Sequence, residues 1–323
     1  MALGTQNLRF HTSVWKKTPP IKCHTLIRTG KWIGGIMEKV GFIGLGTMGL
    51  PMARNLALDG VALNVWNRTH KAPDVFPGGC DVAFARSPRA VVRGSRTSIL
   101  MLLNQDAVDA VLERDTAAFA ENVRGKTIIG MGSVDPSYSV ALADDIAQAG
   151  GAYLEAPVSG SRVPAEKGQL VCLLGGDRAV AEAAAPLLRP MCKDQIHCGA
   201  AGDALRMKLA INLYLCSSLV ALAEATSFAR KAGLPLDKFT QAVAVGPLGS
   251  DFVTHKLPKM IDSDFTVQAG VADAHMSTCL IRAEAARLCL ATPQLDVSSD
   301  LYARAVEALG PKVDMSSVIA VLN

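Results

Sequence analysis

The sequence predicts an α/β chain, with a doubly wound sheet in its first two hundred residues and an all-helical domain after it, the two joined by one long helix. Three observations carry this. A strand, a glycine turn and a helix start follow one another in 40–55, VGFIGLGTMGLPMARN. Short apolar runs then alternate with helical segments as far as Glu155, as the strands of a parallel sheet covered on both faces do. From Gly199 the apolar spacing becomes helical and stays so.

The first element is the buried strand around Val40, Phe42 and Ile43. Behind it Gly44, Gly46 and Gly49 are spaced G-x-G-x-x-G. Gly44 permits a tight turn, Gly46 lets the backbone approach a pyrophosphate, and Gly49 lets the helix pack closely on the strand. The helix start offers free N–H groups and a positive dipole end to phosphates. Gly44, Leu45, Gly46, Thr47, Met48 and Gly49 are therefore candidate dinucleotide-binding residues of a Rossmann-type unit. A second strand, expected over 61–66, ends at Asn67-Arg68-Thr69, about 20 residues past the turn, where such a fold reads the adenosine ribose. A carboxylate there favours NAD. This chain has the neutral Asn67 followed by Arg68, whose planar fork pairs with a 2′-phosphate. NADP (NADPH) is thus the expected cofactor; a solvated surface arginine is the competing reading of Arg68.

Strands are expected next at 97–103, 127–131 and 152–155, with helices over 106–111 and 138–149. Ligands of such sheets lie beyond the strand C-termini, which puts Asn104 and Ser133 at the cofactor edge; either is equally well a helix N-cap. Residues 155–170, EAPVSGSRVPAEKGQL, read as an ordered loop exposing hydroxyls and backbone N–H groups, able to hold a carboxylate. A strand at 170–174 and a helix after Gly175-Gly176-Asp177 follow. The long helix, from Asp203 to about Lys231, spans more than about 40 Å at ~1.5 Å per residue. It is apolar nearly all round, so burial between domains or subunits is expected. Helices over 236–245, 267–290 and 298–309 complete the chain. The domains are then a leader (1–36), an NADP-binding domain (37–200) and a helical substrate and oligomerisation domain (201–323).

Of the 323 residues half are hydrophobic, which fits a packed globular enzyme. Six basic residues and no acid lie in the first 37, leaving 27 basic against 29 acidic residues in the rest. The body has no basic excess that would argue for nucleic acid. The basic leader is read as an upstream extension with Met37 as the natural start, which makes the protein cytoplasmic; as a transit peptide it would direct the chain to an organelle. Eight cysteines are scattered without CxxC pairs and read as free thiols. The histidines show no ligand spacing, so no metal is expected. The apolar run 209–223, broken by Asn212, Ser217 and Ser218, reads as too short for a membrane span.

Lys208 and Asn212 share a face of the long helix at i and i+4, among Met207, Leu209, Ala210, Ile211 and Leu213. Such a lysine either snorkels to solvent or acts as a general acid/base whose pKa burial lowers toward neutrality. At this point the chain resembles the β-hydroxyacid dehydrogenases, the family of 3-hydroxyisobutyrate dehydrogenase and the glyoxylate/succinic semialdehyde reductases. The resemblance covers 38–323. It rests on GFIGLGTMG (41–49), EAPVSGSRVPAEKGQL, GAAGDALRMKLAIN (199–212) against G-x-x-G-x-x-x-x-x-K-x-x-x-N, and 271–283 against K-D-x-x-L-A.

The resemblance implies that Lys208 is the general acid/base with Asn212 as partner, and that Ser159, Gly160 and Ser161 grip a substrate carboxylate. Gly44 to Gly49 would hold the pyrophosphate, Asn67, Arg68 and Thr69 the adenosine end, and Asn104 and Ser133 the nicotinamide side. A homodimer or homotetramer built through the long helix is implied as well. Three departures stand out. Gly132 replaces the serine of a Ser-Thr pair, Ser161 replaces a loop glycine, and Ala272 replaces the family lysine while Asp273, a substrate-side residue, is retained. The SGS loop and the Asn-Arg-Thr triplet tilt the reading toward the glyoxylate/succinic semialdehyde reductase branch. The far wall of the pocket is expected from helices around Leu248, Phe252 and Asp273. An imine reductase-like enzyme and a non-catalytic dinucleotide-binding protein are the alternatives, and Lys208 argues against both.

Overall fold

The computed structural model describes residues 32–33 and 36–322. The leader therefore lies outside the described residues, apart from Trp32, Ile33 and Ile36. Strands β1 (Trp32–Ile33) and β2 (Ile36–Met37) pair antiparallel, so regular structure begins ahead of Met37.

The main sheet is built on six parallel strands: β3 (Val40–Ile43), β4 (Leu63–Trp66), β5 (Val82–Phe84), β6 (Thr97–Leu100), β7 (Thr127–Gly130) and β8 (Ala152–Glu155). Their spatial order is β5-β4-β3-β6-β7-β8. The winding direction reverses between β3 and β6, the switch point where open sheets bind ligands. Helices α1 (Gly49–Leu58), α2 (Pro88–Arg93), α3 (Gln105–Leu112), α4 (Ala118–Val123) and α5 (Pro136–Gln148) connect these strands. Adjacent strand residues point to opposite faces. Phe42, Ile99, Ile129 and Leu154 thus enter one core with Met52 and Leu56 of α1, while Ile43, Leu100, Ile128 and Tyr153 enter a second with Val91, Val108 and Leu142. This is the Rossmann-type double winding that the unbroken apolar runs require.

Beyond β8 the sheet departs from the parallel expectation. After β9 (Val158–Ser159) and the short α6 (Arg162–Glu166), β10 (Leu170–Gly175) runs antiparallel to β8 and to β9. Helix α7 (Arg178–Leu188) then leads to β11 (Cys192–Gly199), parallel to β10 at the sheet edge. The sequence CKDQIHCG hides β11, because an edge strand with exposed polar residues lacks the apolar run that marks the interior strands.

The helical domain comprises α8 (Asp203–Lys231), α9 (Leu236–Val245), α10 (Asp251–Asp262), α11 (Val271–Arg287) and α12 (Pro293–Leu309), then a 3₁₀ turn over Met315–Val321. Its core gathers Leu219, Val220 and Ala223 of α8 with Met260, Val271, Tyr302 and Val318; the fully buried Tyr302 donates to the Cys216 carbonyl at 3.1 Å. Sequence periodicity misses α10, which carries an internal Pro258 and places two lysines, Lys256 and Lys259, on its buried face where apolar residues would mark a period.

Helix α8 has the expected bounds but is not buried all round: Met207, Tyr214 and Phe228 are exposed, the last two by more than 70%. Their spacing of seven keeps them on one face with Ala221. By length and composition α8 is long and apolar enough to cross a membrane, contrary to the reading from its interrupted run; here it packs on β10, β11 and α10–α12. Its N-terminus is fixed to the sheet by Glu155 at the end of β8. That buried carboxylate accepts from Gly202 N at 2.7 Å, Leu205 N at 2.6 Å and the Ser139 hydroxyl. The seven described cysteines are free; Cys172, Cys192 and Cys216 are buried, while Cys279 and Cys289 are exposed.

Candidate active site

A cleft of about 690 Å³ opens where the strand C-termini meet the helical domain. The glycine turn, the ends of β6 and β7, the loop after β8, and helices α8, α10 and α11 line it. It collects segments from more than 200 residues of chain around one space.

The turn fits a dinucleotide. A Cβ on Gly44, whose φ is +102°, would stand 2.1 Å from the Met101 carbonyl oxygen, and one on Gly49 would stand 1.9 Å from that of Gly44. A Cβ on Gly46 would meet nothing within 4 Å. Two glycines therefore close the turn against β6 and against itself, and the third leaves open space where a pyrophosphate approaches. Gly46, Thr47, Met48 and Gly49 line the cleft. Helix α1 begins there without a side-chain cap or an acid in its first turn, so its N–H groups remain available to an anion.

Asn67 does more than mark the ribose end. Its Oδ1 accepts from Leu45 N at 2.8 Å and its Nδ2 donates to the Thr69 carbonyl at 2.7 Å, tying the glycine turn to the segment that carries Arg68. Arg68 and Thr69 are exposed, and Arg68 has no ion-pair partner among the described residues. Asn104 caps α3, accepting from Ala107 N at 3.0 Å, and does not line the cleft; its cap reading is the one the geometry supports. Ser133 does line the cleft. A Cβ on Gly132 would lie 2.2 Å from the Leu102 carbonyl, a physical reason for glycine where the resemblance suggests serine.

On the substrate side, β9 holds Ser159 opposite Val171 of β10. Gly160 then turns the chain at φ +131°, where a Cβ would strike Leu170 Cδ2 at 2.7 Å. Ser161 stands at the start of α6 with its hydroxyl making no cap bond. All three line the cleft. The Arg162 N–H donates to the Gln268 carbonyl at 3.2 Å, joining this loop to the helical domain.

Lys208 enters from α8 and has no carboxylate partner among the described residues. Burial lowers its ammonium from 10.5 to about 8, so it is charged but readily deprotonated near neutral pH. Asn212, one turn on, donates to the Ser277 hydroxyl at 3.3 Å, which fixes its amide from α11. Asp273 opens on the cleft from the first turn of α11; the enclosing walls push its carboxyl above the usual aspartate range, while its contact with Gly270 pulls the other way. Phe252 lines the far wall as expected, whereas Leu248 lies outside the cleft and is exposed. Sequence reading missed Asp251, His255 and Lys256, which α10 turns to the cleft. The signal for them was Ser250, the N-cap of α10, whose Oγ accepts from Val253 N at 3.3 Å.

Comparison with known proteins agrees with this geometry. Residues 39–200 match the NAD binding domain of 6-phosphogluconate dehydrogenase, and residues 202–322 match the NAD-binding domain of NADP-dependent 3-hydroxyisobutyrate dehydrogenase. The Arabidopsis thaliana protein named glyoxylate/succinic semialdehyde reductase 2, chloroplastic, is 31% identical over 284 residues, covering 84% of this chain and 79% of the relative. The 2-hydroxy-3-oxopropionate reductase of Escherichia coli K12 is 31% identical over 285 residues, 88% of this chain and 97% of that one. The solved structure of Mycobacterium tuberculosis 3-hydroxyisobutyrate dehydrogenase with L-serine shares 26% identity and a TM-score of 0.77, over 89% of this chain and all of that one.

Proposed function

We propose, because this chain belongs to the β-hydroxyacid dehydrogenase family, that it interconverts a small hydroxy acid and the matching aldehyde or keto acid with NADP(H). The observation that carries this reading is Lys208: a lysine poised at about 8, without an acid partner, in a cleft shared with a phosphate-ready glycine turn. A purely structural lysine would pair with a carboxylate or reach solvent.

Bound in the cleft, NADPH supplies the hydride. The turn from Gly44 to Gly49 and the N-terminus of α1 hold its pyrophosphate, and Arg68 pairs with the 2′-phosphate. Ser159 and the N–H groups of Gly160 and Ser161 hold the carboxylate. Protonated below about pH 8, Lys208 donates Nζ–H to the carbonyl oxygen, stabilises the charge that gathers there, and releases its proton to it. Asn212 fixes the same oxygen from one turn along the helix. In the reverse direction neutral Lys208 takes the hydroxyl proton.

The Ser-Gly-Ser loop, the Asn-Arg-Thr triplet and the named relatives support glyoxylate and succinic semialdehyde as substrates. The exposed apolar face of α8 supports assembly as a homodimer or homotetramer. The test follows NADPH absorbance with glyoxylate, succinic semialdehyde and a cyclic imine supplied separately. NADPH is expected to be consumed with the two acids; consumption with the imine alone, or with none of the three, removes this reading.

A further inference from the structure

The helical wall of the cleft carries a buried cation that the chemistry above leaves unused. Lys256 lines the cleft from α10 and is 5% exposed. Its Nζ has one protein partner, Asp314 Oδ1 at 2.7 Å. An ammonium group carries three N–H donors, so two are left without an acceptor among the described residues. Unmet donors on a buried charge are costly, and a cation so placed calls for an oxygen from outside the protein.

Asp314 is in the opposite condition. Besides Lys256, its Oδ1 accepts from the Ser316 N–H at 3.1 Å and hydroxyl at 2.9 Å, and its Oδ2 from Gln268 N at 2.8 Å and Ala269 N at 3.0 Å. Asp314 stays ionised, so the pair is formally neutral, and its lone pairs are engaged by these donors; what the pair offers an incoming oxygen is the remaining N–H groups of Lys256. Lys256, held by Asp314, is thus a fixed N–H donor seat on the helical side of the cleft, while the Ser159–Ser161 loop belongs to the sheet side.

We propose that Lys256 sets substrate length: it binds the carboxylate of a carbonyl acid whose carboxylate stands several carbons from the carbonyl, as in succinic semialdehyde. An acid whose carboxylate adjoins the carbonyl, as in glyoxylate, is held by the loop without Lys256. This rests on the cleft being a carbonyl-acid site. One cleft then serves two chain lengths through two anchors, with the carbonyl in both cases at Lys208.

The test compares the full chain with its Lys256→Gln and Lys256→Arg variants. In Lys256→Gln the donors from Gln268, Ala269 and Ser316 still hydrogen-bond Asp314 but its buried counter-charge is lost, so circular dichroism and Tm check the fold and Lys256→Arg, which keeps the charge, serves as the control. The substitution is expected to lower kcat/KM for succinic semialdehyde roughly 10- to 100-fold, the range for a hydrogen-bonded charge, with glyoxylate within about threefold of wild type. Lys256→Arg recovers part of the loss. Calorimetry with the hydroxy acids gives a readout free of turnover: Lys256→Gln weakens 4-hydroxybutyrate and leaves glycolate unchanged. Equal losses for both lengths, or no loss for the longer, overturn the proposal. A wild-type chain that binds 4-hydroxybutyrate through Lys256 but reduces neither acid keeps this inference and removes the proposed activity; binding of neither hydroxy acid removes both.

Discussion

The two ends of the cleft are made of different material. The cofactor end is backbone: three glycines, the N–H groups that open α1, and the carbonyls of Gly44 and Met101 pressed against them. The substrate end is side chain: Lys208 and Asn212 from α8, Lys256 from α10, Asp273 from α11 and the hydroxyls of the loop. Two of the cofactor end's three glycines, Gly44 and Gly49, have no room for an added atom. A side-chain site accepts a changed residue without loss of fold, and its chemistry is tuned by burial. Damage at the first end should therefore couple stability to cofactor binding, and damage at the second should separate catalysis from both.

The largest effect that would sharpen this contrast is at Lys208. Lys208→Ala should lower kcat by about 10²–10⁴, the usual range for a lost general acid, with NADPH affinity near wild type by fluorescence titration. Lys208→Arg should also be poor, since arginine stays protonated. Near wild-type kcat in folded Lys208→Ala would break the mechanism. Next is Gly49→Ala, whose new Cβ meets the Gly44 carbonyl at 1.9 Å. NADPH binding and thermal stability should fall together, by about 1–3 kcal/mol in stability; loss of binding with unchanged Tm would contradict a shared backbone cause.

Smaller effects test the cofactor reading and the burial of Lys208. Arg68→Ala should weaken NADPH roughly tenfold, a charge-assisted contact, and spare NADH; equal loss for both cofactors sinks the 2′-phosphate assignment. Asn67→Asp should shift preference toward NADH. It should also loosen the turn, since a carboxylate keeps the bond from Leu45 N but cannot donate to the Thr69 carbonyl. Carbonyl reduction should decline as pH rises through about 8, while hydroxy-acid oxidation increases over the same window. The stability sign follows: between about 8 and 10.5 the unfolded chain binds more protons at Lys208 than the folded one, so this group's cost is present at neutral pH and fades as pH rises through that window. Lys208→Met should accordingly melt no lower than wild type at pH 7. The smallest change is expected from a chain beginning at Met37, with kcat/KM within about twofold, since among the described residues none before Gly46 lines the cleft.

Much of the fold was legible because its signals are local. Six strands of the sheet interior, the glycine turn and the bounds of α8 and α9 follow from apolar runs, spacing and turn residues that lie together in the chain. The elements that escaped include β5, β11 and α10, edge-placed or polar on the outside, and the short α2, α4, β9 and α6, the last two inside the stretch 155–170 read as a loop; each is too short or too polar to show a period.

For the site, the chain by itself determined the glycine turn, the neutral Asn67 with Arg68, and the Lys208–Asn212 pair, because each is a constraint within a few residues of backbone. Only the tertiary structure decided what each side chain is free to do. Asn104 is spent as a cap, Gly132 is held to glycine by the Leu102 carbonyl, and Lys256 and Asp314, 58 residues apart, meet behind the cleft. Those facts depend on desolvation and on which donors remain unpaired. Both quantities come into being when distant segments pack, and no local spacing encodes them.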